Sequence, residues 1–409
     1  MMTTRRIFNK FMLFTAFAGI LYGCGGRANQ QQSYSTGDKP LITKVKDIII
    51  YEDSMYYAAF PSAIKRPDGE LLVAFRRAPD RIRAFSESSN NHLDANSNLM
   101  LVRSNDGETW TKHPELIYAH PFGGSQDPCL YQLRDGTLLC TSYAWAPIKP
   151  EGIERLKKPV HRHAGHDFVF MGGYLLRSTD GGKTWQGPIY PPNISQEVYL
   201  SPFGTGIPAY NRGAICEGVS GRIFWAVAVN DVAPTSETTR KISVHLITSD
   251  DKGLTWTYRC PIAVDQEASL SETSLLETPK GDIVAFIRTG DMGGKACIAR
   301  STDGGNTFQW ESMGFQGFPL HALQMPDNRV LLTYGYRFKP YGIRARILNA
   351  ECTDFATAEE FVLRDDGGST DIGYSWSVHL NDNRFLVLYY FNKNGGVRHI
   401  AGTIIKANQ

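Results

Sequence analysis

Residues Ser178 to Trp185 read STDGGKTW, and near copies stand at Ser104 to Trp110 (SNDGETW, one residue short), Ser249 to Trp256 (SDDKGLTW) and Ser301 to Phe308 (STDGGNTF). A degraded counterpart lies near Asn349 to Phe355. These residue types suit a tight turn. Ser and Asp oxygens take up the loop's own N–H groups, Gly adopts a positive φ, and the aromatic packs back on a sheet. One such match would be weak evidence, but recurrence along one chain defines a structural repeat.

A second repeat is interleaved with the first: an apolar strand, a turn containing Asp, Gly or Asn, and another apolar strand. It occurs at Pro61–Phe75, Pro128–Tyr143, Arg212–Val227, Glu272–Arg288, Pro319–Tyr334 and Ser375–Phe391. The turns at Gly69, Gly136, Gly221, Gly281, Asn328 and Asn383 are separated by 67, 85, 60, 47 and 55 residues, each enough for one four-stranded sheet. The Ser-Asp boxes follow the hairpins at the turn between third and fourth strands. The reading is an all-β fold, a six-bladed β-propeller of four-stranded antiparallel blades, which hides its strand edges by closing on itself. After the sixth hairpin only Val397–Ile405 remains, so Ile42–Tyr51 is expected to supply the outermost strand of the last blade. Unrelated β-sandwiches would not explain the alternation of the two repeats.

Composition agrees with one large β domain. The 409 residues are 42% apolar and 21% charged, with 39 glycines and 21 prolines spread throughout, which excludes wholesale disorder. A formal charge of +2 leaves no electrostatic footprint for nucleic acid or an anionic membrane surface. Binding of an anion must then come from a few placed arginines. Residues 1–24 have a basic start and an apolar run too short to span a bilayer, and read as an export signal. Its end, Leu21-Tyr22-Gly23-Cys24, resembles the bacterial lipoprotein box, and Thr4-Arg5-Arg6-Ile7-Phe8 resembles a twin-arginine signal. The expectation is a protein lipidated at Cys24 and membrane-anchored through that lipid only, periplasmic or on the cell surface. Residues 25–40 would be a flexible tether and 41–409 the propeller. The six remaining cysteines sit mostly in apolar strand-like runs, where buried free thiols are expected, and none has zinc-ligand spacing.

In this topology the starts of first strands, ends of second strands and starts of third strands share one face. Reading those positions gives Arg76, Arg77, Asp94, Arg212, Glu272, Arg288, Arg337, Arg344, Asp371 and Tyr374. Such a cluster suits a carboxylate-bearing ligand held by bidentate pairing. Taken singly, Arg76 and Arg212 read as ordinary structural residues. His161, His163 and His166 invite a metal reading, but no carboxylate spacing completes a site. They are read as a rim that contacts substrate, and no metal or cofactor is expected. Trp145, Trp376 and Tyr336 are candidate sugar platforms.

The boxes and hairpins resemble the bacterial exo-sialidases over roughly residues 45–405. Glu272, sixteen residues before Arg288 across a strand-turn-strand, is similar to the family's catalytic glutamate with one arginine of its carboxylate-binding triad. Gly373-Tyr374-Ser375 resembles the segment of the nucleophilic tyrosine, and His92-Leu93-Asp94-Ala95 the loop of the acid/base aspartate. The resemblance implies a retaining exo-glycosidase that removes terminal sialic acid, or a related 2-keto sugar acid, from glycans, acting as a monomer. Tyrosine suits this chemistry because a neutral nucleophile avoids the repulsion an anion would meet at a carbon bearing a carboxylate. One position departs from the family. Ala59 stands where the first triad arginine is usual, and Arg76 or Arg77 is expected to supply the missing guanidinium. The third arginine is Arg337 or Arg344, with Arg344 slightly favoured. Two other readings stay open: a propeller glycosidase or lyase acting on another acidic sugar, and a non-catalytic glycan-binding propeller.

Overall fold

The Ser-Asp boxes close the turns their residue types imply. Ser301 Oγ donates to Asp303 Oδ1 (2.7 Å) and accepts from the Gly305 N–H (2.9 Å), while Asp303 Oδ1 accepts from the N–H groups of Asn306 and Thr307. Ser104/Asp106, Ser178/Asp180 and Ser249/Asp251 repeat the arrangement. In the degraded copy, Asn349 Oδ1 takes over the serine's part by accepting from the Glu351 and Thr353 N–H groups.

The structure, a computed structural model, describes residues 40–87, 91–156, 161–163, 166–201, 204–232 and 241–408. The expected export signal (1–24) with Cys24, and the expected tether apart from Pro40, lie outside the described residues. Six antiparallel sheets follow in chain order, each of four strands except that blade two gains a short fifth, His161–His163. The innermost strands are Tyr56–Lys65, Gly124–Gln132, Cys216–Glu217, Leu270–Glu277, Phe318–Gln324 and Gly373–His379. Ile42–Tyr51 is the outermost strand of blade six, running from Ile42 opposite Ala407 to Tyr51 opposite Ile400.

The core is divided among the seams between blades. Leu72 and Leu99 of blade one meet Leu130 and Cys140 of blade two, and Leu139 of blade two meets Val227 of blade three. Phe224 meets Ile283, Val284 meets Leu332, and Leu331 meets Phe385 at the next three seams. Val73 and Phe75 against Leu386 and Ile400 close the ring between blades one and six. Both faces of each sheet are therefore apolar, and each fully covered leucine or phenylalanine contributes about 1.5–3 kcal/mol. Cys129, Cys140, Cys216, Cys260, Cys297 and Cys352 are buried free thiols within this packing.

Two features of the inner strands position the site. The pairing of first with second strand is interrupted near the top of five blades, between Ala59 and Ser62, Gln126 and Cys129, Leu270 and Thr273, Phe318 and Leu320, and Gly373 and Trp376. At three of these bulges a non-glycine residue takes positive φ: Phe60 (58°), Asp127 (32°) and Tyr374 (52°). Blade three differs from expectation. Its inner strand has only two residues, and the preceding Arg212–Ala214 segment bonds sideways to blade four through Thr273 N–H to Arg212 O and Leu275 N–H to Ala214 O.

Replacing Ser301 with alanine leaves the buried Gly305 N–H without its acceptor and should lower unfolding free energy by about 1–3 kcal/mol in a chemical denaturation experiment. An unchanged midpoint would show that the box hydroxyls do not hold the blades.

Candidate active site at the mouth of the channel

A cavity of about 480 Å³ opens where the bulges end, lined among others by His92, Tyr143, Arg212, Glu272, Arg288, Arg337, Asp371 and Tyr374. A larger depression of about 820 Å³ lies at the opposite ends of the inner strands, lined by Lys65, Gln132, Glu277, Gln324 and His379. Among the described residues it has no comparable cluster of bonded tyrosine, carboxylate and guanidinium, so the smaller cavity is the candidate site.

Three side chains from different elements meet there. Tyr374 Oη donates to Glu272 Oε1 at 2.6 Å, and Arg288 Nη1 donates to the same carboxylate oxygen at 2.6 Å and to Tyr374 Oη at 3.1 Å. Ser271 Oγ donates to the second oxygen, Glu272 Oε2, at 2.7 Å. Tyr374 reaches this position because its backbone sits in the left-handed region, a strain of order 1–2 kcal/mol for a side-chain-bearing residue. Burial would raise the Glu272 carboxyl, but the charge of Arg288 and the hydroxyls of Tyr374 and Ser271 outweigh it and hold Glu272 well below the usual carboxylate range. Burial and the adjacent Glu272 push the Tyr374 phenol up. The site at rest is therefore a phenol hydrogen-bonded to a carboxylate, ready to lose its proton only when charge develops elsewhere.

Arginines enclose the tyrosine ring. Arg212 lies 4.6 Å from its centroid and Arg337 5.3 Å. Arg212 Nη2 donates to Pro61 O and Tyr374 O, whereas its Nε and Nη1 are buried without a hydrogen-bond partner. Arg337 donates to Ile372 O through Nε and Nη2.

The structure thus brings together Tyr374, Glu272, Arg288 and Arg337 of the expected set. It does not bring in Asp94, Arg344 or Arg76. Asp94 has a side chain only 2% exposed, held by Arg81 at 2.5 Å and by the Asn96 N–H at 2.7 Å. Arg344 is spent on blade five, where its guanidinium donates to the Arg364 and Pro340 carbonyls and lies 4.6 Å over the Tyr336 ring. Of the two alternatives, Arg337 is the one at the cavity. Arg76 is fully buried 5.7 Å from the Tyr57 ring and 6.0 Å from the Phe60 ring, and Arg77 stacks on Tyr56 at 4.3 Å. Neither lines the cavity beside Ala59. Instead the Phe60 ring packs 4.8 Å from that of Tyr374.

Of the sugar platforms, Trp145 lines the cavity, Tyr336 is covered by Arg344, and Trp376 is buried with its Nε1–H on Ala63 O. The side chains of His161, His163 and His166 lie outside the described residues, and among the described residues no group of His, Cys, Asp and Glu could hold a metal ion. Arg212, read as structural, and Tyr143 and Asp127, not singled out, all belong to this region. A signal for Asp127 was available: Asp127-Pro128 opens the second hairpin as Phe60-Pro61 opens the first.

Residues 160–382 match the family model of the BNR repeat-like domain. A Dyadobacter fermentans protein of unknown function is 60% identical, with a TM-score of 0.86 over 90% of this chain and 100% of that one. A mutant of the NanB sialidase from Streptococcus pneumoniae is 14% identical, with a TM-score of 0.60 over 88% of this chain and 70% of that one. The Penicillium chrysogenum alpha-L-arabinanase is 14% identical, with a TM-score of 0.59 over 89% and 99%. The last two share the fold alone. No curated protein matches the chain.

The Asp127 carboxyl generates a prediction. Burial pushes it up to about 6, with Arg212, the Tyr143 hydroxyl and Arg76 opposing and Glu272 assisting. A carboxyl raised on folding costs stability where the unfolded chain ionises it and the native one still holds its proton, so the cost is absent below about pH 4, grows to about pH 6 and is constant above. Asp127→Asn is neutral throughout. Its stability relative to wild type should rise by about 1–3 kcal/mol between pH 4 and pH 8, read by thermal melts. A difference independent of pH would show that Asp127 does not titrate in this window.

Proposed function

The chain belongs to the BNR repeat-like domain family, and for this member we propose a retaining exo-glycosidase that removes a terminal 2-keto sugar acid, sialic acid foremost, from glycans. The observation that carries this reading is the triangle of Tyr374, Glu272 and Arg288, with both hydroxyl and guanidinium on one carboxylate oxygen. Sialidases among the proteins of like fold support it.

In this mechanism Tyr374 Oη attacks the anomeric carbon and passes its proton to Glu272 Oε1. Arg288 Nη1, already on both oxygens, steadies the charge as it moves from carboxylate to phenol oxygen. The glycosidic C–O bond breaks as the tyrosyl–sugar bond forms, and water later cleaves that bond with overall retention. Arg288 and Arg337 are placed to receive the sugar's carboxylate beside the ring, with Arg212 adding positive potential beneath it. Two arginines at the rim rather than three leave one bidentate contact fewer, so a carboxylate would be held less tightly than by a complete triad. Lipidation at Cys24, with display in the periplasm or at the cell surface, belongs to the same proposal and suits an enzyme acting on glycans.

Tyr374→Phe should lower turnover of a 4-methylumbelliferyl sialoside by at least about 10³-fold while affinity for the free acid stays close to that of wild type. Glu272→Gln should lower kcat, with the acid limb of the pH profile removed. Turnover that survives in Tyr374→Phe sinks the assignment of the nucleophile.

A further inference from the structure

Across the cavity from Tyr374 stands a second tyrosine-carboxylate pair. Tyr143 Oη donates to Asp127 Oδ2 at 2.6 Å, the same separation as between Tyr374 Oη and Glu272 Oε1. Tyr143 lines the cavity, while Asp127 sits behind it, 2% exposed, in the left-handed region, with its Oδ1 buried and without a hydrogen-bond partner. The Tyr143 ring is fixed by Tyr210 at 5.4 Å and Phe170 at 5.9 Å, so its hydroxyl is aimed by packing rather than by a mobile loop. Leaving a carboxylate oxygen unpaired in a protein interior costs stability, and holding it there on a strained backbone costs more. Neither expense is explained by the Tyr374 triangle.

We propose that Tyr143, backed by Asp127, donates the proton to the departing glycosidic oxygen and takes one from water in the second half of the reaction. This deepens the reading of the cavity as a retaining glycosidase and rests on it. With Asp127 protonated on Oδ2 the 2.6 Å contact reverses, Asp127 donating to Tyr143 Oη and the Tyr143 hydroxyl turning to the leaving oxygen. As the anomeric C–O bond breaks, the Tyr143 proton moves to that oxygen and the Asp127 proton to Tyr143 Oη, leaving Asp127 as carboxylate. Hydrolysis of the tyrosyl–sugar bond runs the relay backwards: water gives its proton to Tyr143, whose own returns to Asp127. Tyr143 is then the residue that touches substrate, and Asp127 acts through it. Asp94, closed off by Arg81, takes no part.

The surroundings of Asp127 allow both charge states. The charges of Arg76 from blade one and Arg212 from blade three favour its carboxylate, whereas Glu272 from blade four opposes it. Tyr143 from its own blade is the hydrogen-bonded partner, and Tyr374 from blade six is close enough to feel its charge. Burial outweighs the two arginine charges, so the carboxyl can hold a proton in mildly acidic solution and release it during the reaction.

The test compares a 4-methylumbelliferyl sialoside, whose leaving group departs without a proton, with sialyllactose, whose sugar oxygen needs one. Tyr143→Phe should lose about 10²–10³-fold in kcat on sialyllactose and less than about tenfold on the aryl sialoside. Asp127→Asn, which keeps an acceptor for Tyr143, should show the same split and lose the basic limb of the sialyllactose pH profile. Equal losses on both substrates would reduce the pair to a structural role and overturn the proposal. The Tyr374→Phe variant reports separately on the nucleophile: if it retains turnover that reading falls, while a leaving-group split at Tyr143 still supports the donor. A difference proton titration of wild type against Asp127→Asn adds a readout free of turnover. One extra proton bound near pH 5 and released by pH 7 is expected, and its absence overturns the relay.

Discussion

Near the top face, backbones of neighbouring blades come so close at particular positions that no side chain fits there, and this local crowding shapes the site. A Cβ at Gly213 would stand 1.7 Å from Thr273 O of blade four, and one at Gly335 of blade five would stand 2.9 Å from Gly373 Cα of blade six. Backbones that close cannot continue as regular pleats. The chain responds with bulges and left-handed residues where the inner strands reach the top face, and each bulge turns a side chain toward the axis. Phe60, Asp127 and Tyr374 owe their positions to that single constraint, with Glu272 inside the equivalent irregularity of blade four. The site is thus a by-product of closing the ring, occupied by residues chosen for chemistry.

Burying charge beneath such a site is costly unless opposite charges arrive together. Arg76, Arg212 and Asp127 are almost fully covered, and Arg288 is matched by Glu272 at 2.6 Å. A net charge of +2 over the whole chain therefore conceals a dense, internally compensated group at its centre. Where compensation is complete, at Glu272, the carboxyl is held low. Where it is incomplete, at Asp127, the carboxyl is raised. Environment rather than residue type separates the two carboxyls into one held ionised and one able to hold a proton.

The blades were legible because turn chemistry is local: a serine, an aspartate and glycines within eight residues determine a hairpin without help from elsewhere. Glu272 and Arg288 were legible together because a hairpin of known register places sixteen residues side by side. Asp94 was misleading because its fate depends on Arg81, thirteen residues away around a loop that has no repeat to anchor it. The choice between Arg337 and Arg344 turned on which carbonyls lay nearby, and only the packing of Arg364 and Pro340 shows that Arg344 is already engaged. Arg212 was placed on the right face, but its part beneath Tyr374 was not legible, because the irregular inner segment of blade three pairs with blade four rather than with its own sheet, a tertiary choice that no local pattern announces.

The pairing of Ile42–Tyr51 with His399–Ala407 joins the first described strand to the last. During synthesis the earlier strand must wait, unpaired along one edge, until nearly the whole chain has been made. Blades one to five can form from neighbouring sequence, but the seam between blades one and six can close only after the C-terminal strand is released. Tyr374 lies on the inner strand of that last blade, so the cluster around it is among the last parts of the molecule to assemble. An incompletely synthesised chain would carry most of the propeller without Tyr374 in place.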